Sequence, residues 1–512
     1  MTTAEAWHRS RVGLTGALLV TVVVSSCQSG RSESPADSGL HDRIDRYVQQ
    51  EVDASRIPGV AVAIVQGGEV VHRRGFGHDG HGRPIAPGTP FPIGSLTKSF
   101  TALAIRQLSE AGALGLDDPV QRHVPWFRVA DADASSRITV RHLLNQTSGF
   151  SRAAGIEPLI SGSQASVEDI VRGLRATPLN RPVGQSYEYS NLNFVLLGLL
   201  VQTASGQPWA TYIERHLLAP LGMTSSFTTF EAAERLGMTA LHRYWFGVPV
   251  QSSLQYQPGL APAGYLAASV DDMARYLAVY LRQGQAPSTR LLSEAGTDGM
   301  LAPATNEVTV RLLSQTFVAR YGEGWFVGPF GAAPDARWHL GELPSFAAWM
   351  VLLPESNQGV VVLTNIGSQM ALAGGNSVLS RLPQGMVNLL RSQPPPRGIS
   401  VTRFYTLFDV SAAIVLALLI WALRRIARAG PMLQTLPRHV ARSVVALVAG
   451  LGTAALLLIG PPAVMGTSWT TIWHFVPDLT AVVLTVAILC AACGIMRAVQ
   501  GTGLLSPRRP PQ

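Results

Sequence analysis

The spacing of apolar and polar residues divides this chain into stretches of different character. Between Leu40 and about Arg391 the pattern is that of a globular region. GVAVAIV and EVVHRRGFG lie either side of Gln66-Gly67-Gly68, which predicts a β-hairpin near its start. From Ser95 onward Leu96, Phe100, Leu103, Leu108 and Ala111 recur at helical spacing until Gly112. Further helices are predicted over 166–176, 191–205, 209–218 and 270–283. FAAWMVLL and GVVVLTN, separated by Pro354 to Gln358, predict a second hairpin, and 377–391 a closing helix. Strands at both ends with helices between predict an α+β fold whose sheet is completed by the two ends of the domain. About 350 residues exceed what one core usually supports, so a second, mostly helical lobe is expected.

Outside 40–391 the pattern changes. Val12 to Val24 is an apolar run behind a basic start (His8, Arg9, Arg11), followed by Val24-Ser25-Ser26-Cys27. Residues 1–27 therefore read as a secretory signal. The small residues before Cys27 also resemble a bacterial lipobox, which makes Cys27 a candidate for lipidation; ordinary cleavage and an uncleaved anchor helix fit the same residues. Residues 28–39 (QSGRSESPADSG) form a polar tether, and 392–403 a proline-rich linker. Beyond it come apolar runs at about 404–423, 443–464 and 475–496, each of about 20 residues, enough at 1.5 Å per residue to cross a hydrocarbon layer of about 30 Å. Arg424, Arg425, Arg428, Arg438 and Arg442 lie between the first two runs, and no Arg or Lys lies between the second and third. The arginine-rich side is expected to be cytoplasmic, which places 40–391 outside the cell membrane and the tail, 497–512, inside.

Composition agrees with membrane segments, since only 14% of residues are charged against about 25% in soluble domains. The net charge of +8 does not indicate a nucleic-acid partner. Residues 401–512 hold nine Arg, no Lys and only Asp409 and Asp478, which is +7 and leaves +1 for the rest. No basic groove remains for a phosphate backbone. The cysteines are Cys27, Cys490 and Cys493, so the globular region has none and must rely on its core. Cys490 and Cys493 sit in an apolar run without a further Cys/His pair and read as membrane packing, so no metal is expected.

The 40 basic residues are 39 Arg and a single lysine, Lys98, three residues after Ser95. Arginine cannot lose its proton near neutral pH, whereas lysine can when burial lowers its pKa, so one retained lysine points to a base. Ser95 and Lys98, at i and i+3, share a face if the helix begins at Ser95, and the helix N-terminus would then stabilise developing negative charge. A neutral amine there could take the serine proton. Read alone, Ser-x-x-Lys is equally an N-cap serine and a solvated lysine. Tyr189-Ser190-Asn191, on a connection before an apolar helix, and His339-Leu340-Gly341, at the start of the terminal hairpin, add to it.

In that order SLTK, YSN and HLG resemble the serine β-lactamase and penicillin-binding-protein superfamily, specifically its class C-like branch of esterases, D-amino-acid peptidases and related hydrolases. The resemblance covers Leu40 to Arg391 and includes HLLNQTSGF (142–150), NFVLLGLLVQTASGQPW (193–209), PLGMTSSF (220–227) and PAGYLAASVDDMARYL (262–277). It implies an antiparallel sheet flanked by helices plus a helical lobe, here followed by three transmembrane helices. It also implies an acyl-enzyme on Ser95 activated by Lys98, with Tyr189 shuttling protons and its phenol pKa lowered by Lys98. Asn191 would bind a substrate amide, His339 and Gly341 would line the substrate strand, and the backbone N–H groups of Ser95 and Glu342 would form the oxyanion hole. Substrates would be small esters or peptidoglycan-like peptides, and no metal or organic cofactor is implied. His339 replaces a lysine that binds the carboxylate of penicillins in true β-lactamases, and Glu342 is expected to narrow the site or disfavour anions. Tyr187 and His142 read as packing residues. A non-turnover penicillin-binding or sensory protein would carry the same motifs; a transporter is disfavoured by the few polar groups in the three apolar runs.

Overall fold

The computed structural model describes residues 39–312, 315–367, 378–428, 436–465 and 468–502. Cys27, the signal, residues 28–38 and the end of the tail lie outside the described residues.

Helix α1 (Leu40–Ser55) leads into the predicted hairpin, β1 (Gly59–Gln66) and β2 (Glu69–Gly77). The chain then passes through α2 (Thr97–Glu110), α3 (Arg152–Ser161), α4 (Asn191–Ser205), a small hairpin of β3 (Leu241–Trp245) and β4 (Val248–Ser252), and α5 (Val270–Leu281). Strands β5 (Val308–Leu312), β6 (Gln315–Gly322), β7 (Trp325–Phe330), β8 (Ala333–Leu343), β9 (Phe346–Leu353) and β10 (Gln358–Thr364) follow, closed by α6 (Val378–Leu390). The main sheet is antiparallel in the order β2-β1-β10-β9-β8-β7-β6-β5. Strands from the two ends of the domain therefore pair at its centre, with Val62 opposite Val362.

Both faces of that centre are covered, which is why GVAVAIV and FAAWMVLL are apolar at nearly every position rather than alternating. Ala61, Ala63, Met350 and Leu363 join one core with α2, α4 and α5, and Val60, Val62, Val351 and Val362 join another with α1 and α6. The helices between β2 and β5 share the first of these cores with the sheet, from Ala61 to Met300. The helix over 191–205 lies where the periodicity predicts it, whereas 209–218 begins as an α-helix at Trp209 and widens into a π turn from Glu214. Strands β5 to β7 are absent from the prediction. QTFVARYG does alternate, with Tyr321 buried and Val318 exposed, but the run is short and is cut by the turn Gly322-Glu323-Gly324.

Three helices after the domain, α7 (Val401–Arg428), α8 (Leu436–Met465) and α10 (Pro477–Thr502), are long and apolar enough to cross a membrane, and a short α9 (Trp469–Phe475) links the last two. Helix α7 starts inside the expected linker because α1 supplies partners for its first turn: Val401 N–H donates to Ser55 Oγ at 3.4 Å and the Thr402 hydroxyl to Ala54 O at 2.9 Å. Arg381 of α6 ties the same region together. It is buried, pairs with Glu51 of α1 at 2.7 Å and donates to Ile399 O at 2.9 Å.

Removing one partner of a buried ion pair leaves a charge without compensation, at about 3 kcal/mol or more. Arg381→Ala is therefore expected to lower unfolding stability by about that amount, read from the urea midpoint. A change under about 0.5 kcal/mol, the scale of ordinary surface substitutions, would show that the pair does not hold α1 to α6.

Candidate active site

Ser95 occupies a 3₁₀ turn, Gly94–Leu96, directly before α2, so the α-helix begins two residues later than a start at Ser95 would require. Lys98 still follows one turn on and is fully buried. Its Nζ lies 2.9 Å from Ser95 Oγ, 2.8 Å from Asn191 Oδ1 and 2.6 Å from the Ala263 carbonyl oxygen. The last two can only accept hydrogen bonds, so they take two N–H groups whether the lysine is charged or neutral. The contact to Ser95 alone can reverse, running N–H to O in the ammonium form and O–H to N in the amine. Burial lowers the lysine pKa well below its ordinary 10.5, which favours the amine.

Tyr189 sits on the loop before α4, with its ring centroid 5.0 Å from Lys98 Nζ. The expectation that Lys98 would lower the phenol pKa is not met. Burial of Tyr189 pushes it up, with the neighbouring Ser95 side chain acting the other way. A desolvated lysine that favours the amine supplies little positive charge to stabilise a phenolate. Gln146, in a left-handed backbone conformation (φ 58°), holds this loop: its carbonyl accepts from Glu188 N–H at 2.8 Å and its side chain from Ser190 N–H at 2.9 Å. Asn191 Oδ1 faces Lys98, and its Nδ2 donates to Gly155 O at 2.9 Å.

Strand β8 brings His339, Gly341 and Glu342 to the other side of Ser95. Its pairing with β7 ends at Trp338, leaving residues 340–343 to run beside the Ser95 turn. The approach is so close that a Cβ on Gly341 would lie 2.0 Å from Ile93 O and 2.9 Å from Ser95 N. Gly94 answers it from the turn with φ 53°, a conformation glycine adopts without strain. His339 is buried, its Nδ1 2.7 Å from Leu340 O, which fixes the proton there and turns Nε2 toward the Tyr321 hydroxyl at 3.4 Å. Burial pushes the imidazole pKa down to about 3, so it carries no charge at neutral pH.

The structure thus gathers Ser95, Lys98, Tyr189, Asn191, His339, Gly341 and Glu342 around one turn. Sequence reasoning missed Ala263 and Gln146 as individual residues, although both lie in stretches carrying the resemblance, and missed Tyr321, whose strand was not predicted. Tyr187 packs on Tyr321 with centroids 5.4 Å apart, and His142 Nδ1 accepts from Thr139 N–H at 3.2 Å to cap a short helix, both packing roles as expected.

A serine and a buried lysine one turn apart, under the edge of an antiparallel sheet covered by helices, define the β-lactamase/transpeptidase-like class. Residues 44–379 match the family model described as Beta-lactamase, and the chain belongs to that family of serine hydrolases. It is 28% identical over 331 residues to the protein flp of Staphylococcus aureus (strain N315), a match covering 64% of this chain and 63% of that one. It is 29% identical to penicillin-binding protein 4 of Amycolatopsis lactamdurans, covering 62% of this chain and 84% of the relative. Among solved structures, the octameric penicillin-binding protein homologue from Pyrococcus abyssi superposes with a TM-score of 0.60 at 27% identity, over 70% of this chain and 79% of that one. The D-amino acid amidase from Ochrobactrum anthropi SV3 shares the fold at 22% identity, with a TM-score of 0.57 over 69% of this chain and all of that one.

With Lys98 as base, the acid limb of kcat/KM against pH reports the lysine of the free enzyme and is expected well below 10.5. With a pKa of about 3, His339 contributes no limb near 6.5. Both are checked on an activated ester, where His339→Gln leaves the acid limb in place. A limb near 6.5 that vanishes in His339→Gln would make the histidine the base.

Proposed function

We propose that this chain is a membrane-anchored serine hydrolase that turns over an ester or peptide-like amide through an acyl-enzyme on Ser95. The observation that carries the reading is the 2.9 Å contact between Ser95 Oγ and a desolvated Lys98 whose other two partners only accept. In the first step Ser95 Oγ bonds to the substrate carbonyl carbon and its proton passes to Lys98 Nζ. The oxyanion is held by the backbone N–H groups of Ser95 and Glu342. Tyr189, kept protonated by burial, donates to the leaving oxygen or nitrogen as the old bond breaks, and the proton on Lys98 replaces the one it gave. Water then attacks the acyl-enzyme, returning a proton to Ser95 through the same groups and releasing the acid. Asn191 positions Lys98 in this scheme. His339 and Gly341 shape the strand beside the acyl group.

A neutral His339 offers no cation to a substrate carboxylate, which favours uncharged esters and amides over anionic β-lactams. The three apolar helices anchor the domain, with the arginines after α7 on the cytoplasmic side and the 40–391 domain outside. The division into a signal at 1–27, a tether at 28–39 and a linker at 392–403 belongs to this reading, as does lipidation of Cys27.

Ser95→Ala and Lys98→Ala are each expected to reduce p-nitrophenyl ester turnover by the purified full-length protein at least about 100-fold, the lower end of what a general base contributes. Intact mass should show a fluorophosphonate adduct on the wild type and none on Ser95→Ala. Turnover retained in both variants would sink the mechanism. A stable penicillin adduct without turnover of any ester would instead place the chain with non-turnover penicillin-binding proteins.

A further inference from the structure

The hairpin β3–β4 has a surface unlike that of a solvated loop. Trp245, Val248 and Val250 are 39%, 52% and 44% exposed. Its turn residues, Phe246 and Gly247, have φ of 48° and 73°. Those values belong to a type I′ turn, whose first position is ordinarily Asn, Asp or Gly, whereas bulky side chains rarely take that conformation. An aromatic ring is held there, and it faces a particular neighbour. Phe246 stacks on Phe408 of α7 with centroids 6.4 Å apart, and Tyr244 lies 6.0 Å from Tyr405. Gly247 makes the approach close, since a Cβ on it would lie 2.7 Å from Tyr405 Cβ. The hairpin tip is thereby fixed beside residues 405–408 of α7.

That level can be placed along the helix. Arg424 follows Phe408 by 16 residues, about 24 Å at 1.5 Å per residue. The hydrocarbon layer is about 30 Å thick. With Arg424 and Arg425 at the inner boundary, Phe408 and the ring stacked on it fall about one helical turn inside the outer boundary. The neighbouring α9 carries Trp469 and Trp473, the latter 48% exposed, at the same end of the helices. Tryptophans concentrate at such boundaries, where one side of the ring is apolar and the other wet.

We propose that the tip of β3–β4, through Trp245, Phe246 and Val248, inserts into the outer leaflet of a phospholipid bilayer and gives the catalytic domain a second attachment besides α7. The proposal rests on the reading of α7 as a membrane span, and its test separates the two. Full-length protein is reconstituted into phosphatidylcholine nanodiscs with and without lipid brominated on the upper acyl chain, and tryptophan quenching is compared among wild type, Trp245→Phe and Trp421→Phe. Trp421, 57% exposed on α7, reports the span by itself. The bromolipid-quenched signal is expected to fall in Trp245→Phe, and likewise in Trp421→Phe, each by the share of one tryptophan among those the lipid reaches. A fall in Trp421→Phe alone overturns the insertion of the hairpin and leaves the span standing. No fall in either variant overturns both.

Discussion

The site depends on a lysine that is fully buried. Lys98 is held by two carbonyl oxygens that never change role, so its third contact, to Ser95, is the one whose direction follows the proton. Much of the surrounding architecture serves this arrangement. Ala263 comes from the segment before α5, Asn191 is locked by Gly155 at the start of α3, and the 3₁₀ turn sets the serine one turn before the lysine on a helix buried between sheet and α4. A more exposed lysine would stay protonated, so the proposed role of base rests on this burial.

The groups nearest that amine are neutral as well. Burial keeps Tyr189 a phenol and His339 an imidazole, and the Leu340 carbonyl fixes the histidine proton on Nδ1. The groups around Ser95 are thus uncharged, and in the proposed mechanism the developing charge falls to the backbone donors of Ser95 and Glu342.

How much of this was legible in the sequence follows from the physics of each feature. A solitary lysine among 39 arginines is a compositional signal of chemistry, and the hairpins and the 191–205 helix follow from local periodicity. Features set by long-range packing were not legible. The raised phenol of Tyr189 depends on burial by residues far along the chain, the engagement of Asn191 depends on Gly155, and Tyr321 reaches His339 from a strand whose period is interrupted by a glycine turn. The start of α7 at Val401 likewise required knowing that Ser55 and Ala54 would meet it.

The pairing of β1 with β10 has a consequence for the order in which the molecule can assemble. Val62 waits for Val362, so the first hairpin made by the ribosome has its inner edge open until nearly the whole domain has followed it. The partner strand is completed only shortly before α7, the first of the described helices that is long and apolar enough to cross a bilayer. If α7 spans the membrane as proposed, closure of the sheet and arrest of the chain there are neighbouring events in synthesis, and a chain cut short before β10 would leave the inner edge of β1 open. High sequence separation of this kind slows folding, because the entropy of closing so long a loop is lost before the contact is gained.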